Sequence, residues 1–260
     1  NIICVSPIVA MITPSQVIIF LSILALGLFF AICKTKGVRS FLSLVLTFVV
    51  CIKMFIPGLV AGHDPLLLIT GCALPLTAVV VYLTEGFTTN AHRIVIAITI
   101  QFIGIFLLTW GAVHLAGLSG ITSEEDASIQ GFGKHLLDLP KILAAGIILG
   151  TLGAVTEMVV TQIATVAELR AAHPEAPDQS IFTQAYTVGV AHLGSMINTL
   201  FLIYASVSLP ILIILSSIDS SWHYILKSEL FQTECIRTLV GVISLITAMP
   251  LSTWVAISPK

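Results

Sequence analysis

Charge is what this sequence has least of. Its 260 residues hold eleven Lys and Arg and thirteen Asp and Glu, or 9% of the chain. A soluble globular domain carries about 25%. A secreted or cytosolic globule is excluded by that scarcity, and a net charge of −2 supplies no basic field for nucleic acid. No CxxC pair occurs among Cys4, Cys33, Cys51, Cys72 and Cys235, which excludes zinc knuckles and dithiol redox motifs. These cysteines read as small apolar side chains. HExxH, a P-loop, a Rossmann glycine pattern and GxGD are all missing. No catalytic residue, metal or cofactor is therefore expected, and the chain reads as a non-enzyme.

What is abundant is apolar surface. Hydrophobic residues make up 57% of the chain and the mean hydropathy is +1.08. A membrane-crossing helix needs about 20 mostly apolar residues. Seven candidate spans meet that test, at roughly 16–33, 41–61, 65–83, 94–115, 141–166, 187–215 and 236–255. The runs are continuous rather than alternating, which favours helices over a β-barrel. The expected fold is an all-α polytopic bundle forming a single domain over 1–260, with the lipid bilayer as its main partner.

Orientation follows from positive charge near the span ends. Lys34, Lys36, Arg39, Arg93, Arg170 and Lys260 fall on one side. Lys134, Lys141, Lys227 and Arg237 fall on the other, with most of the acidic residues. This predicts an outside N-terminus and an inside C-terminus. The chain opens on Asn1 rather than Met, which reads as a processed product or a fragment. Residues 116–136, with Glu124, Glu125 and Asp126, read as an outer loop, and residues 167–182 as an inner one. Residues 220–234, with Trp222, His223 and Tyr224, read as an interfacial segment.

Polar chemistry enters the membrane at few places. In the fifth span Gly146 and Gly150 form a GxxxG pair that Gly153 extends, a helix-packing surface. Gly194 offers a small position in the sixth span. Glu157 is the strongest functional candidate, because a mid-span carboxylate costs about 2.5–3.5 kcal/mol on insertion scales. Thr161, Thr165 and Glu168 follow on its face. In the sixth span His192, Ser195 and Thr199 share a face, with Asn198 beside them. His192 is the expected partner of Glu157, as an interhelical clamp or as a proton relay. Lys53 is a third intramembrane charge, able to pair with Glu157, line a cavity or snorkel. Gln101 and His114 read as satisfied core groups. His63 and Asp64 are too few for a metal site.

The short runs Phe55-Ile56-Pro57-Gly58-Leu59, Ile148 to Val155, Glu168-Leu169 with Pro174, Gly194 to Leu200, and Ala205 to Pro210 are specific in their order and spacing. Together they resemble the YibE/F-like proteins, multi-pass bacterial membrane proteins, which implies a bacterial inner membrane. The resemblance implies an Asp at position 157, where this chain has Glu. It also implies an Arg-Asp pair where Ala191 and His192 stand, and an extracytoplasmic region before the first span. Two functional classes stay open: a permease or ion- or proton-coupled transporter, and a seven-helix sensor or assembly subunit. A homo-oligomer or an unidentified membrane partner is compatible with both.

Overall fold

A computed structural model describes residues 13–121, 137–217 and 226–258. Expectations for Asn1, the acidic run at 124–126, Lys134, Trp222–Tyr224 and Lys260 lie outside these residues. Seven helices carry the described chain: α1 (Pro14–Val50), α2 (Ile56–Val60), α3 (Pro65–Glu85), α4 (Thr89–Ala116), α5 (Leu139–Ala172), α6 (Asp178–Ser217) and α7 (Glu229–Ile257). Among the described residues there is no strand. A short π-helical turn, Cys51–Phe55, joins α1 to α2.

Seven segments are long and apolar enough to cross a bilayer: Pro14–Lys34, Lys36–Val60, Pro65–Glu85, Thr89–Ala116, Leu139–Ala172, Asp178–Leu209 and Glu229–Ile257. The protein is a multi-pass membrane protein with an all-α fold. The sixth and seventh segments begin well before their expected starts, at Asp178 rather than near 187 and at Glu229 rather than near 236. Residues 229–234, expected in an interfacial segment, are the first turns of α7.

The chain forms two compact units, Asn1–Phe48 and Val49–Lys260. In the first, α1 breaks at Lys34, whose φ is +47°. A β-carbon on Gly37 would lie 2.9 Å from the Cys33 Cβ, so the elbow tolerates no side chain there. Phe30 and Phe41 meet edge-on across it, with ring centroids 5.7 Å apart.

The second unit is built around α7, which packs against α4, α5 and α6, while α3 packs on α4 and α5. Local chemistry sets the helix ends. Asp64 caps α3 by accepting N–H bonds from Leu66 and Leu67, and Pro65 follows at the first helical position. Thr88 caps α4 through the Ala91 N–H, and Gly117, at φ +63°, ends it. Asp138 caps α5 through the Lys141 N–H. Pro57 accounts for the π turn. Its ring nitrogen carries no hydrogen for the Lys53 carbonyl four residues back, so the turn before it widens.

Two buried glutamines tie the helices together. Gln101 on α4 donates to the Ser244 carbonyl (2.8 Å) and the Thr247 hydroxyl (2.7 Å) on α7. It is the satisfied core group that its position suggests. Gln162 on α5 donates to the Ala185 carbonyl on α6 (2.9 Å) and the Thr253 hydroxyl on α7 (2.8 Å). Gly189 makes room for it: a β-carbon there would lie 2.7 Å from the Gln162 Oε1.

Candidate functional site

The depth of each polar residue follows from two contacts between the antiparallel helices α5 and α6. Gly189 faces Gln162, and Gly150 faces the Tyr204 hydroxyl, 3.7 Å from where its β-carbon would be. Glu157 is five residues before Gln162, and Gly194 is five after Gly189. At 1.5 Å per residue both lie about 8 Å from that crossing, in the same direction. Glu157 is therefore level with Gly194 and Ser195, and Asn198 is within one helical turn.

All four of these residues are exposed on the outside of the second unit. Glu157 makes no side-chain hydrogen bond or ion pair among the described residues. The outward face of α5 carries Gly146, Gly150, Gly153, Glu157, Ala164 and Glu168, all exposed. Added β-carbons at Gly146, Gly153 and Gly194 would meet nothing within 4 Å. Of the expected packing glycines, only Gly150 contacts a neighbouring helix.

Glu157 and His192 do not pair. Glu157 sits on the outward face of α5, while the His192 Nε2 is buried and has no hydrogen-bond partner. Thr161 is half-buried, and its hydroxyl bonds back to the Glu157 carbonyl (2.8 Å) rather than to the carboxylate. Lys53 is exposed in the π turn and has no ionic partner among the described residues. The structure thus sets Glu157, Ser195 and Asn198 at one level; His192 lies near that level too, but with its Nε2 buried, and Lys53 is on a separate element.

A second charged cluster lies near the start of α7, where the sequence predicts an interfacial segment meeting the seventh span. Glu234 and Arg237, three residues apart on α7, approach to 3.6 Å. The Arg237 guanidinium lies 6.0 Å from the Tyr204 ring centroid on α6. Glu234 begins about 8 Å inside α7. The Glu234 side chain is 12% exposed. Seven buried side-chain polar atoms lack a partner among the described residues, and four belong to this neighbourhood: Ser208 Oγ, Thr233 Oγ1, Glu234 Oε2 and Arg237 Nε. Beside them a 500 Å³ cavity opens between α6 and α7.

At the helix ends, charges are mostly committed to structure. Lys141 bonds Asp64 (2.7 Å) and Asp138 (3.3 Å), so three caps and charges join α3 to α5. The Lys141 hydrogen bond holds Asp64 below the usual carboxylate range. The Leu67 and Leu66 N–H groups help, and partial burial opposes them. Nearby, His114 is exposed and stacks on Trp110 (centroids 5.5 Å apart) rather than sitting in the core. The Glu229 carboxylate accepts from the Ser119 N–H and hydroxyl and from the Gly120 N–H. At the opposite ends Arg93 donates to the Ser258 carbonyl (2.9 Å). Arg170 bonds Asp178 and the Ala176 carbonyl.

The family model described as YibE/F-like protein matches residues 21–258. The chain belongs to the YibE/F-like family. No curated protein matches it, and no solved structure does. In this YibE/F-like chain the match spans both clusters. The run Ile148 to Val155 contains Gly150 and Gly153 on the outward face of α5, and Gly194 to Leu200 contains Ser195 and Asn198. The Glu234–Arg237 pair was missed because the expected boundary separates them, Glu234 ending the interfacial segment and Arg237 opening the seventh span. The available signal was their i, i+3 spacing, which suits an ion pair on one helix face.

Proposed function

We propose that this YibE/F-like protein is a permease of the cytoplasmic membrane, moving an ion or a proton-coupled solute, and not an enzyme. The supporting observation is Glu157, an outward-facing, unpartnered carboxylate midway along α5, level with Ser195 and Asn198. A carboxylate left against lipid is costly, so this band calls for water or a polar surface over it. In this reading Glu157 is the titrating or cation-facing carboxylate, Asn198 an oriented amide, and Ser195 and Thr161 line the path. His192 and Lys53 tune it from a distance. The Arg93 and Arg170 ends of α4 and α5 face the cytoplasm, following the positive-inside bias.

The test is solvent access. Glu157→Cys in a chain without other cysteines is treated with a membrane-impermeant charged thiol reagent from each side. Labelling from at least one side is expected. Protection from both sides refutes the path.

A second reading, a sensor or assembly subunit acting through a partner, is favoured by the open space over Gly146, Gly153 and Gly194. Small residues on an outward helix face let another helix approach closely. Under this reading Glu157→Cys is protected, and Gly153→Cys cross-links to a neighbouring chain.

A further inference from the structure

A 520 Å³ cavity opens where α4 begins and where α5 and α7 end. Its polar lining is Asn90 and Arg93 from α4 and Arg170 from α5. Ile163 and Val166, on the same face of α5 as Arg170, make an apolar wall with Ile257 on α7. Among the described residues no Asp or Glu lines it.

Each guanidinium carries five N–H donors, and the fold uses few of them. Arg93 spends one, from Nη2 to the Ser258 carbonyl. It makes no ion pair among the described residues. Arg170 spends two, from Nη1 to the Ala176 carbonyl and from Nη2 to Asp178. Both side chains are half-buried. Asp178 balances Arg170, which leaves Arg93 as a partly desolvated charge without a counter-ion. An anion in the cavity supplies one.

Depth narrows the anion. Helix α4 has 28 residues, about 42 Å of length. The hydrocarbon core of a bilayer is about 30 Å thick, so a centred helix overhangs it by about 6 Å at each end. Arg93 lies about 6 Å from the first residue of α4, level with the boundary between acyl chains and headgroups. Basic pockets between membrane helices at that level take phosphate headgroups.

We propose that this cavity binds a phosphate-bearing anion, held by Arg93 and Arg170 with Asn90 beside them. The apolar wall suits the tail of a phospholipid, and a soluble phosphate compound offers the same head. The site lies about 20 Å along α5 from Glu157 and does not depend on it.

The full chain in detergent is titrated with dioleoyl phosphatidylglycerol and, separately, with inorganic phosphate, and bound ligand is counted by native mass spectrometry. One saturable lipid site is expected. Dioleoyl phosphatidylcholine, which has no net charge, and oleate, which has no phosphate, should bind at least about tenfold more weakly. Millimolar phosphate that displaces the lipid, or binds where the lipid does not, assigns the site to a soluble compound; lipid that resists it assigns the site to the bilayer. Arg93→Gln keeps an amide donor for the Ser258 carbonyl but removes the charge, and should weaken binding about fivefold. Asp178→Asn frees Arg170 and should tighten binding about two- to fivefold, opposite to the loss of a merely structural contact. Arg39→Gln, at an exposed cation outside the cavity lining, should change nothing. Phosphatidylcholine or oleate binding as tightly as phosphatidylglycerol would overturn the proposal. So would saturable binding of neither phosphatidylglycerol nor phosphate, a loss in Arg39→Gln as large as in Arg93→Gln, or binding that Arg93→Gln leaves unchanged or Asp178→Asn weakens.

Discussion

Replacing Gly189 with alanine puts a methyl carbon 2.7 Å from the Gln162 Oε1, 2.9 Å from its Nε2 and 3.0 Å from its Cδ. All three distances are too short for real contact, so the amide must move. Moving it breaks the bonds to the Ala185 carbonyl and the Thr253 hydroxyl. Each interhelical hydrogen bond in a membrane protein is worth about 0.6 kcal/mol. Overpacking a filled site adds about 1–3 kcal/mol. Alanine returns up to about 1 kcal/mol through its helix propensity. The net loss is about 1–3 kcal/mol. Reversible unfolding in mixed micelles, followed by far-ultraviolet circular dichroism, measures it. The decisive variant is the double one. In a Gln162→Ala background the methyl has room, and Gly189→Ala should cost almost nothing. Gly153→Ala is the control, since nothing lies within 4 Å of its added carbon. A Gly189→Ala chain as stable as the parent, or a loss that persists without Gln162, would refute the reasoning.

Other expectations follow from the charged groups. Asp64 has its proton affinity lowered by Lys141, so its contribution to stability is complete above the unfolded carboxylate value of about 3.9 and is lost as pH falls through the lower folded value. The melting temperature of the parent should therefore converge on that of Asp64→Asn as pH is taken below about 4, since Asn keeps the cap. Arg237→Met strands the Glu234 carboxylate and should cost about 3 kcal/mol or more, with much of it recovered in Glu234→Gln/Arg237→Met; thermal unfolding in detergent compares the two. Glu229→Ala removes three hydrogen bonds from the turn after α4, so amide exchange at Ser119 and Gly120 should quicken while that of the α4 interior stays unchanged.

The spans were legible because a run of about 20 apolar residues has few other uses. Their faces were not. In α5 nearly every position is apolar or small, so the pattern that separates inside from outside in a soluble helix is absent. Glu157 could have faced the core, a cavity or the outside, and the GxxxG glycines could have met a helix of this chain or of another. The outward placement of both became visible only from how α5 packs. The same flatness hid Gln162, an amide in an apolar run whose importance depends on Gly189, twenty-seven positions away. Gln101 and Gln162 are each the single amide of their spans, so the same reading as a satisfied core group was open to both. The seventh span lost its first two turns in the sequence reading because hydropathy counts each charge separately. Glu234 and Arg237 partner each other, so together they cost the helix far less than two isolated ions.

The central place of α7 bears on how the protein is made. Helices enter the membrane in chain order as the ribosome extends the chain, and pack afterwards. The side chains that α4 and α5 bury are matched to positions on α7: Gln101 to Ser244 and Thr247, Gln162 to Thr253. Until α7 arrives, Gln101 lacks both of its partners and Gln162 has only the Ala185 carbonyl on α6, and the groove along α4, α5 and α6 stands open. A chain interrupted after α6 is thus inserted but unfinished, with three interhelical hydrogen bonds of its two amides still unmade. Assembly runs toward a closing step, in which one helix satisfies the core that three earlier ones left open.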